Sequence, residues 1–306
     1  MVRKRTKGRL LLFAAALIFG GSFVVVKDAV QAVPPVLLMA CRYPIAAAVL
    51  GVIFCKRLKH LHWGMVWRGA VLGCFLIAAS WVQTVGIQYT TPGKNAFLTA
   101  VYCILVPFMS WAVDRVRPAR TQLLAAMICL AGIGMLSLQS GLTVGLGDSL
   151  SLVSGVLFGI HLILVAKFSP QRDVVLLTIC QFAAAGLIAA AGVVGTGSWR
   201  QLPVLLTWPV GAEVLALGVV VTAAAYLCQM VGQTYADPAS ASLILSLESV
   251  FGVLFSLLCG QEPMTLRLGI GFALVFVAVL LSETGGVFWR RMKARRLAVG
   301  KIRDES

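Results

Sequence analysis

Gln83-Thr84-Val85-Gly86-Ile87-Gln88-Tyr89-Thr90-Thr91-Pro92 and Gln229-Met230-Val231-Gly232-Gln233-Thr234-Tyr235-Ala236-Asp237-Pro238 are two copies of one pattern, Gln-x-x-Gly-x-x-Tyr-x-x-Pro, set 146 residues apart. Ala78-Ala79 matches Ala224-Ala225 at the same offset, and Leu37-Leu38 with Cys41-Arg42-Tyr43 has a partner in Leu176-Leu177 with Cys180-Gln181-Phe182. Apolar helices match one another easily by chance, but four polar or helix-breaking residues in fixed register do not. The chain is therefore read as two related halves. Gln83 and Gln229, Gly86 and Gly232, Tyr89 and Tyr235, and Pro92 and Pro238 form structural repeat pairs whose symmetric task is to satisfy backbone where helices approach.

The surroundings of the repeat are those of a membrane protein. Of 306 residues, 59% are hydrophobic and 12% charged, and the mean hydropathy is +0.93; an ordinary soluble domain has roughly 45–50% and about 25%. Twenty-six Lys and Arg with 11 Asp and Glu cannot cover a soluble chain of this length. The net charge of +15 sits in short clusters between long uncharged runs, a pattern of membrane topology and not of nucleic-acid binding. The eight cysteines all fall in apolar runs with no Cys-x-x-Cys pair, so no disulfide framework, zinc site or other metal is indicated, and no cofactor motif appears. The basic start followed by Leu10 to Val26 mimics a signal peptide, but no small-x-small site closes it, and the first span is expected to be retained.

A bilayer core of about 30 Å needs roughly 20 helical residues. Ten spans are read: Arg9 to Val30, Pro35 to Cys55, Gly69 to Tyr89, Pro92 to Trp111, Thr121 to Leu138, Ser149 to Lys167, Val174 to Gly195, Glu213 to Tyr235, Pro238 to Cys259 and Leu268 to Val287. Pro35, Pro92 and Pro238 suit a first helical turn, where the missing N–H costs nothing. The stretch from Thr196 to Gly211, with Trp199 and Trp208, is long enough to lie along an interface. Lys and Arg concentrate on alternate connections: Arg3, Lys4, Arg5, Lys7 and Arg9; Lys56, Arg57, Lys59 and Arg68; Arg115, Arg117 and Arg120; Lys167 and Arg172; and Arg290 to Arg303. Lys27, Lys94, Arg200 and Arg267 fall on the others. This asymmetry places both termini in the cytoplasm and the chain in the cytoplasmic membrane. The closing basic stretch after Trp289 serves as a stop-transfer anchor, with a grip on anionic lipid of about 1 kcal/mol per charge as the second reading.

The expected organisation is a basic N-terminus (1–8), a first five-helix repeat (9–140), a second (148–287) and a basic C-terminal tail (288–306). Because five is odd, the second repeat enters the membrane from the opposite side. The fold class is an all-α integral membrane protein of ten helices in two inverted-topology repeats, the arrangement of many secondary transporters, whose substrate site lies near the midplane between the halves.

The sequence resembles the drug/metabolite transporter superfamily, and within it proteins with tandem EamA domains. The resemblance rests on Phe19-Gly20-Gly21-Ser22-Phe23 with Lys27; Arg42; Tyr89-Thr90-Thr91-Pro92 with Asn95-Ala96-Phe97-Leu98-Thr99 through Val106-Pro107; Gly147-Asp148; and Ala241 through Leu247-Glu248. It covers nearly the whole chain and implies a ten-helix inner-membrane transporter, commonly an exporter of amino acids, other metabolites or amphipathic toxicants. The family often follows the ninth-span glutamate with proline; here Ser249 follows Glu248, so a kink at that point is expected to be missing.

Ionisable residues inside spans are few, and each costs about 2.5–3.5 kcal/mol near the bilayer centre unless it faces a cavity or a partner. Glu248 lies ten residues into its span, roughly 15 Å deep by helical rise. The 146-residue offset pairs it with Tyr102 at equal depth. Glu248 is a candidate for binding an amine or carrying a coupling proton; a hydrogen bond to Ser or Tyr on a neighbour is the structural alternative. Arg42 either binds a substrate carboxylate, pairs with Glu248, or snorkels to the interface. Trp81 and Tyr43 are candidates for an aromatic wall, with core filling as their ordinary use. His161 is a candidate relay, more simply a helix-to-helix hydrogen bond, while His60 and His62 belong to a solvated loop. Gly20-Gly21, Gly132-x-Gly134 and Gly269-x-Gly271 fit close helix packing, and no Gly-Lys-Ser/Thr follows them to bind nucleotide.

The expected partners are a small-molecule solute, the lipid bilayer and protons as a candidate coupling ion. The expected function is secondary transport of a small organic solute, with export of an amino acid or related metabolite preferred. A non-transporting scaffold or receptor, a channel and an intramembrane enzyme are the competing classes. The spans hold no Gly-x-Ser-x-Gly, His-Glu-x-x-His or paired aspartates for catalysis.

Overall fold

The structure, a computed structural model, describes residues 2–115, 117–137, 145–261 and, apart from 268, 272 and 279, 265–281. The expectations for the C-terminal basic tail, the end of the tenth span and the connection at 138–144 lie outside the described residues.

A helix satisfies its own backbone without water, which is what long apolar runs require in lipid. Among the described residues the chain is helical, with no strand. The elements are α1 (Val2–Ala32), α2 (Pro35–Ile53), α3 (Trp63–Gln88), α4 (Pro92–Thr99), α5 (Tyr102–Asp114), α6 (Arg120–Ser137), α7 (Leu146–Phe168), α8 (Val174–Thr196), α9 (Val210–Gln233), α10 (Pro238–Leu245), α11 (Leu247–Leu258) and α12 (Gly269–Ala278). Among the described residues, eight stretches are long and apolar enough to cross a membrane, α4 with α5 and α10 with α11 each counting as one. Two shorter apolar helices, Arg120–Gly132 and Gly269–Ala278, stand where the fifth and tenth spans are expected.

Local chemistry explains the boundaries. Pro35, Pro92 and Pro238 each occupy a first helical turn. Ahead of two of them sits a side-chain cap: Thr91 Oγ1 accepts from Lys94 N at 3.3 Å, and Asp237 Oδ1 accepts from Ser240 N at 3.0 Å. The Asp173 carboxylate caps α8 through Val175 N at 2.9 Å, and Gly197 ends that helix at a φ of +69°, where a side chain would be strained.

One boundary departs from expectation. The helix is interrupted between α10 and α11 although proline is absent after Glu248. The hydroxyls of Ser242, Ser246 and Ser249 each donate to the carbonyl three residues earlier, at 2.9, 2.7 and 2.6 Å, and such bonds compete with the helical ladder. Serine thus accompanies the break that proline was expected to supply.

The helices interlock across the two halves of the chain. α3 lies against α7 and α8, α2 against α8 and α9, α1 against α9 and α11, and α4 against α7 and α11. Glycines permit the closest approaches. A Cβ on Gly20 would meet Phe251 and the Glu248 carbonyl, and one on Gly132 would meet the Gly271 carbonyl at 2.9 Å. Gly134, in contrast, has nothing within 4 Å of such a Cβ, so only part of the glycine pattern serves packing.

α1 touches both repeated turns, one near each of its ends. Gly8 lies against Tyr235 and Gly232. Near the other end, Lys27 Nζ donates to the carbonyls of Ile87, Gln88 and Thr90 at 2.7, 3.3 and 2.9 Å, closing the C-terminus of α3 with a cation. At this Lys27 end Gln261 Nε2 donates to Asp28 at 3.2 Å. At the Gly8 end, the basic 54–62 loop meets the 169–173 loop through the Arg57–Asp173 ion pair at 3.1 Å. Leu12, Ala15, Phe19 and Phe23 of α1 are buried core. Beyond α8, Ser198–Leu206 forms a 3-10 stretch with exposed Trp199 and Leu206, followed by exposed Trp208.

Candidate functional site

Six of the polar side chains buried among these helices, Arg42, Ser80, Thr84, Asn95, Gln229 and Glu248, line one cavity of about 50 Å³, room for a few waters at most. Arg42 and Glu248 both line it, from different helices. α2 and α9 supply Arg42, Val221, Tyr226 and Gln229; α4, α5 and α11 supply Asn95, Tyr102 and Glu248; α1 adds Phe19, Ser22 and Phe23, and α3 adds Ser80, Gln83 and Thr84.

Glu248 is 8% exposed, and its Oε1 accepts from Tyr102 Oη at 2.8 Å. The two residues set at equal depth by the repeat offset are therefore in direct contact. Arg42 is 6% exposed. Among the described residues it makes no ion pair, with Glu248 or any other carboxylate. Its Nε donates to Thr222 Oγ1 at 2.8 Å, and its guanidinium lies 5.7 Å from the centre of the Tyr43 ring. Thr222 sits in the π-helical Leu217–Ala225 part of α9 and donates to the Leu217 carbonyl at 2.8 Å. Wider helical turns of this kind are frequent at functional sites. The terminal guanidinium nitrogens of Arg42, the second oxygen of Glu248 and the amide of Gln229 have no hydrogen-bond partner among the described residues.

Other expected residues lie elsewhere. Trp81 is 51% exposed on the outside of the bundle. Tyr43 is buried, donates to Ser80 Oγ at 2.6 Å and packs on Phe182, so it is a core residue. The aromatic wall comes instead from Phe19, Phe23, Phe158 and Tyr226. His161 is fully buried outside the cavity, with Nε2 3.1 Å from Gln181 Oε1. His60 and His62 are exposed. The repeat pairs divide: Gly86 and Gly232 pack against neighbouring helices, Tyr89 is exposed at a turn, and Gln83 and Gln229 line the cavity.

Sequence reasoning passed over two features. Lys94 was read only as a charge of a connection and Lys27 as that and a letter in a motif, yet Lys94 Nζ pairs with Asp148 at 2.7 Å and both lysines tie helix ends together. Asn95 appeared only as a letter in a motif. It is fully buried, lines the cavity and donates through Nδ2 to Gln83 O at 3.3 Å and Ser151 Oγ at 2.8 Å. Its Oδ1 has no partner, which costs about 1–3 kcal/mol for a buried acceptor. The available signal was a polar residue inside an otherwise apolar span.

The cavity thus joins buried polar groups to an aromatic wall inside an apolar helical bundle. The chain is 28% identical over 281 residues to an uncharacterized transporter of Archaeoglobus fulgidus, covering 91% of this chain and 86% of the relative. It is 24% identical over 310 residues to the uncharacterized transporter YetK of Bacillus subtilis, covering 97% and 90%. A protein solved by crystallography has the same fold with a TM-score of 0.70 at 20% identity, over 90% of this chain and 96% of that one. Relatives named as transporters favour transport over catalysis. Residues 6–138 and 145–284 each match the EamA-like transporter family, and this multi-pass membrane protein belongs to it.

Proposed function

We propose that this transporter moves a small zwitterionic solute, an amino acid or a close relative, out across the cytoplasmic membrane by secondary active transport. The observation that carries the reading is the cavity lined by both a guanidinium on α2 and a carboxylate on α11, each hydrogen-bonded to a different neutral partner and not to the other. Arg42 presents free N–H donors to a carboxylate, and Glu248 presents a free oxygen to an amine. Glu248 is also the group to which a coupling proton would bind, since a solute amine and a proton compete for one carboxylate.

Alternating access in this reading comes from ten spans in two inverted repeats, 9–140 and 148–287, flanked by basic cytoplasmic segments at 1–8 and 288–306. Three observations support it. The two copies of Gln-x-x-Gly-x-x-Tyr-x-x-Pro meet α1 near opposite ends. The fourth and ninth spans are both interrupted, after Thr99 and after Leu245, at the repeat offset. The Arg57–Asp173 pair joins two of the connections expected on the cytoplasmic side.

The test is an efflux screen against a metabolite panel in cells overproducing the protein, followed by counterflow in proteoliposomes. The expected result is saturable export of an amino-acid-like solute that Glu248→Gln reduces at least about tenfold, the scale of one lost charge-assisted hydrogen bond. Export by Glu248→Gln with unchanged rate and pH dependence would overturn the assignment.

A further inference from the structure

Asn95 faces the cavity with an amide whose orientation is determined by its partners. The Gln83 carbonyl can only accept, so the atom 3.3 Å from it must be the Nδ2 donor. Ser151 gives the same answer. Its hydroxyl proton is committed to the Gly147 carbonyl at 2.6 Å, leaving Ser151 Oγ to accept from Asn95 Nδ2 at 2.8 Å. The unpartnered Oδ1 is therefore an acceptor and nothing else.

The amide is also held rigidly. Ser154 Oγ donates to the Ser151 carbonyl at 2.8 Å, so Thr99 Oγ1, 3.2 Å away, donates to Ser154. Thr99 in turn accepts from Gln83 Nε2 at 3.2 Å. This ladder locks α4 to α3 and α7. α4 meets α11 where Gly252 lies against Ala96, the neighbour of Asn95 and one helical turn from Glu248. Asn95 Oδ1 and the free oxygen of Glu248 thus belong to two helices, α4 and α11, that pack against each other, while the guanidinium of Arg42 belongs to α2.

We propose that Asn95 is a specificity-determining residue that accepts a hydrogen bond from the solute's primary ammonium group beside Glu248, so that the site selects amines bearing several N–H donors over N-methylated and hydroxyl analogues. This deepens, and rests on, the zwitterion reading. A carboxylate alone attracts any cation, whereas a fixed neutral acceptor next to it rewards only a cation that still carries a second donor. A hydroxyl has one proton and serves one of the two acceptors; a trimethylammonium serves neither and leaves Oδ1 buried and unpaired.

The experiment uses the purified full chain. The twenty proteinogenic L-amino acids are ranked by thermal stabilisation in detergent, and the tightest binder is compared with its N,N,N-trimethyl betaine and its 2-hydroxy acid by competition. The wild-type protein is expected to bind both analogues at least about tenfold more weakly. In Asn95→Ala the affinity ratio between amine and betaine should shrink several-fold, a change that general loosening of the ladder would not produce because it weakens all three probes alike. A betaine that binds wild type as well as the amine does overturns the proposal without any variant, as does an unchanged ratio in a folded Asn95→Ala protein. If Arg42→Gln and Glu248→Gln abolish binding while that ratio stays fixed, only the role of Asn95 falls. If none of the twenty binds, or both charge variants bind like wild type, the zwitterion reading falls and this proposal with it.

Discussion

At the scale of single residues, the site depends on a contact that the sequence encodes at long range. Tyr102 and Glu248 are separated by 146 residues and joined at 2.8 Å. Tyr102→Phe keeps the ring and its packing and removes only the donor. It should cost about 1.5–3 kcal/mol, the value of a hydrogen bond to a charged group, read as a lower apparent melting temperature in detergent and a fall in transport. An unchanged melting temperature and rate would mean that the carboxylate is held by something else. Depth was legible from sequence because helical rise converts residue count into distance, which is why Glu248 and Tyr102 stood out. Facing was not. α3 is apolar all round, so nothing in its pattern separates Trp81 on the outside from Gln83 on the cavity. The orphaned acceptor of Asn95 was invisible for the same reason, since a buried polar side chain reveals its partners only once the neighbouring helices are in place.

At the scale of elements, glycine and serine do what the sequence assigned to glycine and proline. The crossing of α1 on α11 at Gly20 brings a backbone against the Glu248 carbonyl. Gly20→Ala should destabilise by about 1–3 kcal/mol through overpacking, and it should depress transport because the displaced helix carries Glu248. Gly134→Ala, with open space around its Cβ, is the matched control and should melt within about 0.5 kcal/mol of wild type. Equal melting of the two variants would remove Gly20 from the account. The helix starts at Pro35, Pro92 and Pro238 were readable because proline's missing N–H has only one comfortable place in a helix. The break before Glu248 was misjudged because back-bonding by Ser242, Ser246 and Ser249 depends on rotamers, which a residue list does not specify.

At the scale of the whole molecule, a helical membrane fold followed from composition and repeat, whereas the EamA-like family was implied by the resemblance of particular motifs and is shown by the family match over both halves. The interleaving of the halves did not, because a sequence repeat says that two units are alike and not where each finds its partners. Topology has a direct test in the native cysteines. Cys55 and Cys259 are both exposed. Cys55 adjoins the loop of the Arg57–Asp173 pair at the Gly8 end, and Cys259 adjoins Gln261 at the Lys27 end. In intact cells producing variants that keep only one of the two, a membrane-impermeant maleimide should label Cys259 directly and Cys55 only after permeabilisation; the reverse pattern would invert the orientation. The contacts of α1 carry a mechanical consequence. It is a rod seated near one end on the Tyr235 turn, near the other on the Thr90 turn, and in between on the Glu248 helix through Gly20. A rod resting on a fulcrum lifts at one end only by pressing down at the other. Under the alternating access proposed above, tipping α1 about Gly20 would open one mouth while sealing its opposite, so the same helix that walls the cavity would keep the membrane from leaking.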